Sequence, residues 1–230
     1  MKTITDLIKN VPVPKMVKIR EVFDDTHIPE DKIAETVLGE LSREALASQI
    51  KPGMKIAITC GSRGIHHYAT MARTIVDFVK SRGAEPYIVA AMGSHGGATA
   101  EGQQALLAGY GITEEAVGAP IRSSMEVVRV ANTPADEPVW MDKNAVRADG
   151  IVLFNRVKPH TGFRGRYESG LLKMAAVGLG KQRGAETVHA GGPAVMAERV
   201  ETFGTLALEH APILFGVATV ENAYDKVCAV

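Results

Sequence analysis

The side chains with most chemistry to offer are seven histidines, an arginine behind an apolar strand and a lysine in an apolar setting. His95 stands in Met92-Gly93-Ser94-His95-Gly96-Gly97-Ala98-Thr99. Glycines around one imidazole leave little bulk beside it, so the ring is open to a ligand. Imidazole titrates near neutral pH, which suits a general acid or base. A glycine-rich turn with an incidental histidine is the other reading. Lys173 lies among Leu171, Leu172, Met174, Ala175 and Ala176. Desolvation there favours the neutral amine, the form that serves as nucleophile or covalent attachment point. A lysine snorkelling from an amphipathic segment has the same pattern.

Residues 155–192 are rich in Lys, Arg and Gly, and His160, Lys173, Lys181 and His189 stand out within them. Pro159 fixes the backbone before His160. His189 has no His, Cys or carboxylate at zinc-type spacing, so a metal there needs ligands from elsewhere, for example from a cofactor. Arg63, in Gly61-Ser62-Arg63-Gly64, could clamp a carboxylate or phosphate with help from loop amides. It reads equally as a surface arginine. His66 and His67 read as polarity at a helix start, and His27 and His210 as surface or core residues.

These groups need a scaffold, and the middle of the chain supplies one. Residues 54–60 (MKIAITC) form an apolar run after Pro52-Gly53 and predict a buried strand. Met71, Ile75, Phe78 and Val79 have helical spacing, and Gly83 ends that helix. Residues 86–92 (PYIVAAM) predict a second strand, with Thr99 as N-cap of a helix to about Ala108. This order implies parallel strands with helical crossovers, and ligands at their carboxyl ends. Residues 125–131 and 138–141 suggest antiparallel strands, 150–154 a stronger strand and 212–220 another. Residues 31–48 read as one or two helices and 194–208 as one. Residues 170–179 read as either helix or loop. The expected class is α/β: a largely parallel Rossmann-like sheet flanked by helices, with some added antiparallel strands.

The 26 basic and 26 acidic residues cancel. That gives no electrostatic reason to expect nucleic acid or an anionic membrane, and any anion needs a local site. Aromatics at 5% are too sparse for a stacking platform. No stretch has the length and apolarity of a membrane span. Two cysteines, Cys60 and Cys228, argue against a disulfide framework and fit a reducing cytoplasm. The run AYDKVCAV closes the sequence just after a strand. The expectation is that residues 1–230 are the N-terminal catalytic and cofactor-binding domain of a longer two-domain protein. A small domain ending on an edge strand is the alternative.

Taken together, MGSHGGAT, KPHTGF, GLLKMAAVGLGK and ETVHAGG resemble the nickel-pincer lactate racemase family. The resemblance runs from about Cys60 to His189, and the spacing 189 − 173 = 16 equals the family's. It implies a nickel-pincer nucleotide, a pyridinium mononucleotide holding nickel through carbon and two sulfurs, covalently on Lys173. His189 would be the metal ligand, and Ser62 and Gly93 would line the cofactor. His95 and His160 would be the acid/base pair and Arg63 the substrate-binding residue. It further implies a 2-hydroxy acid as substrate, reversible hydride transfer from C2, and a closing C-terminal domain. Cofactor-maturation proteins would be partners, and heterologous protein is expected to lack the cofactor.

Two departures surround the substrate. Cys60-Gly61-Ser62-Arg63 replaces the family's Asp-His-Thr-Arg, and Gly170-Leu171-Leu172 replaces its Gly-Gly-Arg. The stretch from His160 to Lys173 is also a few residues longer. They point to a 2-hydroxy acid other than lactate, a larger or sugar-derived one. A lysine Schiff-base lyase and a non-enzymatic ligand-binding domain of the same fold are the competing readings.

Overall fold

The computed structural model describes residues 3–230. Its strands are β1 (Lys55–Cys60), β2 (Glu85–Ala90), β3 (Ile121–Arg122), β4 (Val127–Asn132), β5 (Pro138–Asp142), β6 (Gly150–Val157), β7 (Ile213–Glu221) and β8 (Val227–Ala229). Successive side chains of a strand point to opposite faces. On the buried parts of β1, β2 and β6 both sets are apolar, apart from Thr59. Ile56, Ile58, Ile88, Ala90, Val152 and Phe154 enter one core, under the helices Ile33–Leu41 and Tyr68–Ser81. Ala57, Tyr87, Val89, Ile151 and Leu153 enter the other, with Val188, Val200 and Phe203 from the helices Lys181–His189 and Met196–His210. Covering both faces explains why these strands read as continuous apolar runs. Burying a side chain such as Phe154 contributes about 1.5–3 kcal/mol.

The main sheet has the order β3-β2-β1-β6-β7-β8. Its first five strands are mutually parallel, and β8 returns antiparallel along β7. β4 and β5 form the separate antiparallel pair the sequence suggests. The expected mixed architecture is therefore present. Thr99 caps the helix Ala100–Gly109, accepting the Gly102 N–H at 3.0 Å. β6 runs to Val157, three residues beyond the predicted strand. Residues 170–179, open in the sequence, form a short helix Gly170–Lys173 followed by a π turn Met174–Gly178. Among the described residues no helix is long and apolar enough to cross a membrane.

Candidate active site

β1 and β6 pair from Ile56 and Gly150 as far as Ile58 and Val152, then part. At the point of parting, the buried Thr59 hydroxyl accepts the Phe154 N–H at 2.9 Å and replaces a ladder bond. The strand order also reverses here, with β2 and β3 on one side and β7 on the other. Ligands of open α/β sheets bind outside the carboxyl ends of strands at such a switch point. The crevice in this chain is a cavity of about 520 Å³.

Every residue to which the resemblance gives a role lines this one cavity: Ser62, Arg63, Gly93, His95, His160, Lys173 and His189. Arg156 and Lys158 join them, which the sequence reading passed over. No Asp or Glu is among the lining residues. Arg156 is neutralised by an ion pair with Glu221. Among the described residues Arg63, Lys158 and Lys173 form no salt bridge. A chain of zero net charge thus concentrates uncompensated cations in one crevice.

The loop after β1 is pinned by two tyrosines. Gly61 N–H donates to the Tyr68 hydroxyl at 2.7 Å, and the Tyr110 hydroxyl donates to the Ser62 carbonyl at 2.8 Å. Ser62 Oγ is hydrogen-bonded to Nδ1 of His95. Burial pushes the Cys60 thiol up to about 12, so it offers no thiolate at the site.

The loop after β2 rests on a buried polar network. The Gln103 amide donates to the carbonyls of Gly93 and His95, at 2.9 and 3.1 Å. Its Oε1 accepts from Lys181 Nζ at 2.7 Å. Lys181 also donates to the Ala90 carbonyl and lies 3.4 Å from Asp142 Oδ2. Gln103, Asp142 and Lys181 are all fully buried. Burial pushes Asp142 up and Lys181 down, and their mutual attraction opposes both. Lys181, noticed in the sequence without a role, is a positioning residue beneath His95. Gly102 is required here, because a Cβ would sit 1.9 Å from the Gly96 carbonyl oxygen.

Beyond β6, the His160 N–H donates to Glu168 at 2.8 Å, and its Nδ1 accepts the Gly162 N–H at 3.0 Å. A neutral His160 therefore carries its proton on Nε2. Its ring packs on Phe163, with centroids 4.2 Å apart. Lys173 Nζ lies 5.2 Å from the same phenyl centroid. The π turn begins immediately after Lys173, closed by Leu179 N–H to the Met174 carbonyl at 2.9 Å. Such turns are frequent at functional sites.

His189 ends its helix, with Nδ1 2.5 Å from the Ala185 carbonyl. A carbonyl only accepts, so Nδ1 holds a hydrogen, and in the neutral ring the lone pair is on Nε2. Metal-ligating histidines are held in this way. Burial, then the charges of Lys158 and Arg63, lowers the Lys173 pKa. Burial, then Arg63, Lys173 and His189, lowers that of His95. Burial, then Lys173, lowers that of His160. The crevice therefore favours neutral bases. His66 and His67 sit at the start of the helix Tyr68–Ser81, as read, and outside the cavity.

The lactate racemase N-terminal domain family matches residues 8–197. The solved lactate racemase apoprotein from Thermoanaerobacterium thermosaccharolyticum is similar in fold, with a TM-score of 0.64 at 17% identity. The superposition covers 89% of this chain and 52% of that one, so this chain spans about half the length of its solved relative. No curated protein matches the chain.

Proposed function

This chain belongs to the lactate racemase N-terminal domain family, and we propose that its cationic crevice racemises or epimerises a 2-hydroxy acid with a nickel-pincer nucleotide on Lys173. The observation that carries this reading is a convergence. The free amine of Lys173 and the bare Nε2 of His189 share one carboxylate-free cavity with His95 and His160. The residues fit the cofactor. Lys173 has a depressed pKa and no carboxylate partner, as an acylated lysine requires. His189 is in the tautomer a metal needs. Arg63 and Lys158 offer charge to a phosphate or carboxylate. When bound, that group supplies a hydride acceptor for the substrate C2.

The chain's own residues do the rest. Arg63 holds the substrate carboxylate. A neutral imidazole on one face takes the hydroxyl proton. An imidazolium on the opposite face gives its own proton to the oxygen when the product forms there, and the two rings end with their protonation states exchanged. With Nδ1 accepting the Gly162 N–H, neutral His160 offers its Nε2–H as a hydrogen-bond donor to the substrate oxygen. Ser62 can accept from or donate to Nδ1 of His95, so that ring adopts either tautomer. Residues 1–230 would be the N-terminal domain of a two-domain protein, closed over the substrate by further chain and loaded by maturation proteins.

Mass spectrometry of the Lys173 peptide from the native host, with metal analysis, tests the reading. The expected result is a nucleotide-sized adduct on Lys173 with nickel retained. An unmodified Lys173 without nickel, in protein made with its maturation enzymes, overturns it. The depressed Lys173 amine also suits a Schiff-base lyase. Borohydride trapping of a carbonyl substrate on Lys173 would select that chemistry instead.

A further inference from the structure

A second group of metal-capable side chains lies outside the crevice. Glu30, His66 and His67 bring one ligand atom each within 4.8 Å of one another. None of the three lines the cavity. One carboxylate straddles two imidazoles: Oε1 is 3.7 Å from His66 Nε2, and Oε2 is 3.5 Å from His67 Nε2. Both separations are too long for good hydrogen bonds. They are close to the spacing of two ligands on one ion. With metal–ligand bonds of about 2.1 Å, the edge of a tetrahedron is about 3.4 Å.

The three groups are held from both sides. Ile28, two residues before Glu30, donates its N–H to the Val227 carbonyl of β8 at 2.8 Å. The His66 N–H donates to Glu221 Oε1 at 2.6 Å. His66 Nδ1 is buried without a hydrogen-bond partner, while Nε2 of the same ring faces Glu30. The two imidazoles meet edge to face, with centroids 4.3 Å apart and planes at 82°, and each turns its Nε2 to the same carboxylate. His67 has φ 56° and ψ 35°, a left-handed conformation uncommon outside glycine. A non-glycine residue persists there when its surroundings hold it, and such residues cluster at functional sites. This conformation turns His67 toward the same carboxylate as its neighbour.

We propose that Glu30, His66 and His67 bind one divalent transition cation of the zinc class, with a fourth position open to water. Two imidazoles and a carboxylate with an open position form a known zinc ligand set. The ion would tie the segment before the helix Ile33–Leu41 to the loop that carries Arg63. It is separate from any metal at His189, and the proposal does not depend on the racemase reading.

Titration of metal-stripped protein with zinc chloride, by calorimetry, tests this. It is run on the wild type and on a His95→Ala/His189→Ala variant, which removes two of the three crevice imidazoles. The expected result is one zinc bound per chain in that variant. Adding Glu30→Gln or His67→Ala to it should weaken binding at least about tenfold. Glu30 has an exposed side chain, so Glu30→Gln keeps the fold intact should His67→Ala not. Zinc should also raise the Tm of the crevice variant by mass action, and not that of its Glu30→Gln derivative. The proposal is overturned if the crevice variant binds no zinc, or if its binding is unaffected by Glu30→Gln.

Discussion

Two sets of histidines flank the loop after β1 and sit in opposite fields. In the crevice, His95, His160 and His189 share space with Arg63, Lys158 and Lys173 and with no carboxylate. On the other side, His66 and His67 share Glu30. Glu221 stands between them, pairing Arg156 of the crevice while accepting the His66 N–H. The residue type is the same and the partner decides its use. Cations and burial keep an imidazole neutral and ready for proton transfer beside an anion. A shared carboxylate prepares imidazoles for a cation.

The largest expected effect separates the two sets by function. If the proposed cofactor is carried on Lys173, Lys173→Arg should remove the mass adduct completely, because the guanidinium cannot replace the lysine amine in the covalent link. His95→Ala and His160→Ala should each slow turnover by about 10²–10⁴-fold, the usual worth of a positioned acid or base. His67→Ala should leave the Lys173 adduct in place. Chiral chromatography of the product and intact mass measure both. Full turnover in His95→Ala and His160→Ala alike would erase the distinction between the two sets.

The next effect concerns how each set is supported. The crevice rests on the buried Lys181–Asp142 pair, and both side chains are fully enclosed. Lys181→Met leaves the Asp142 carboxyl without its cation and should cost about 3–5 kcal/mol. Urea denaturation measures it. Glu30→Gln removes an exposed carboxylate and should cost less than about 1 kcal/mol. Between these lies Thr59→Val. It leaves the Phe154 N–H without an acceptor where β1 and β6 part, at a cost of about 1–3 kcal/mol. Equal stability of Lys181→Met and wild type would mean that the crevice does not depend on its buried ion pair.

The two sets also differed in how far the sequence revealed them. His95, His160 and Lys173 were legible because each sits beside a local signal: glycines, a proline, an apolar run. The parallel sheet was legible because residues 54–60 and 86–92 are apolar on both faces. β3 and β8 were not, since two- and three-residue strands carry no period. The π turn was not either, because its bonds skip five residues and leave no spacing signature. Gln103 and Lys181 are 78 residues apart and meet only in the fold. Glu30 and His66 are separated by the first helices and β1, so no motif could join them. The free Nε2 of His189 depends on a backbone carbonyl, to which sequence patterns are blind.

The smallest effect is the sharpest test of the opposite fields. Burial lowers the pKa of both His95 and His66 from the usual value of about 6.5. Arg63 lowers that of His95 further, while Glu30 raises that of His66. Arg63→Gln should therefore shift the His95 midpoint upward, and Glu30→Gln should shift the His66 midpoint downward. Imidazole NMR titration reads both, at low salt where exposed charges are least screened. The same sign governs stability. A histidine with a lowered folded pKa contributes fully above its unfolded pKa, and that contribution is lost as pH falls through the folded value. Acid should thus weaken wild type below about pH 6.5, and Arg63→Gln should reduce the His95 share of that loss. Shifts of the same sign in the two variants would show that the two sets of histidines share one field.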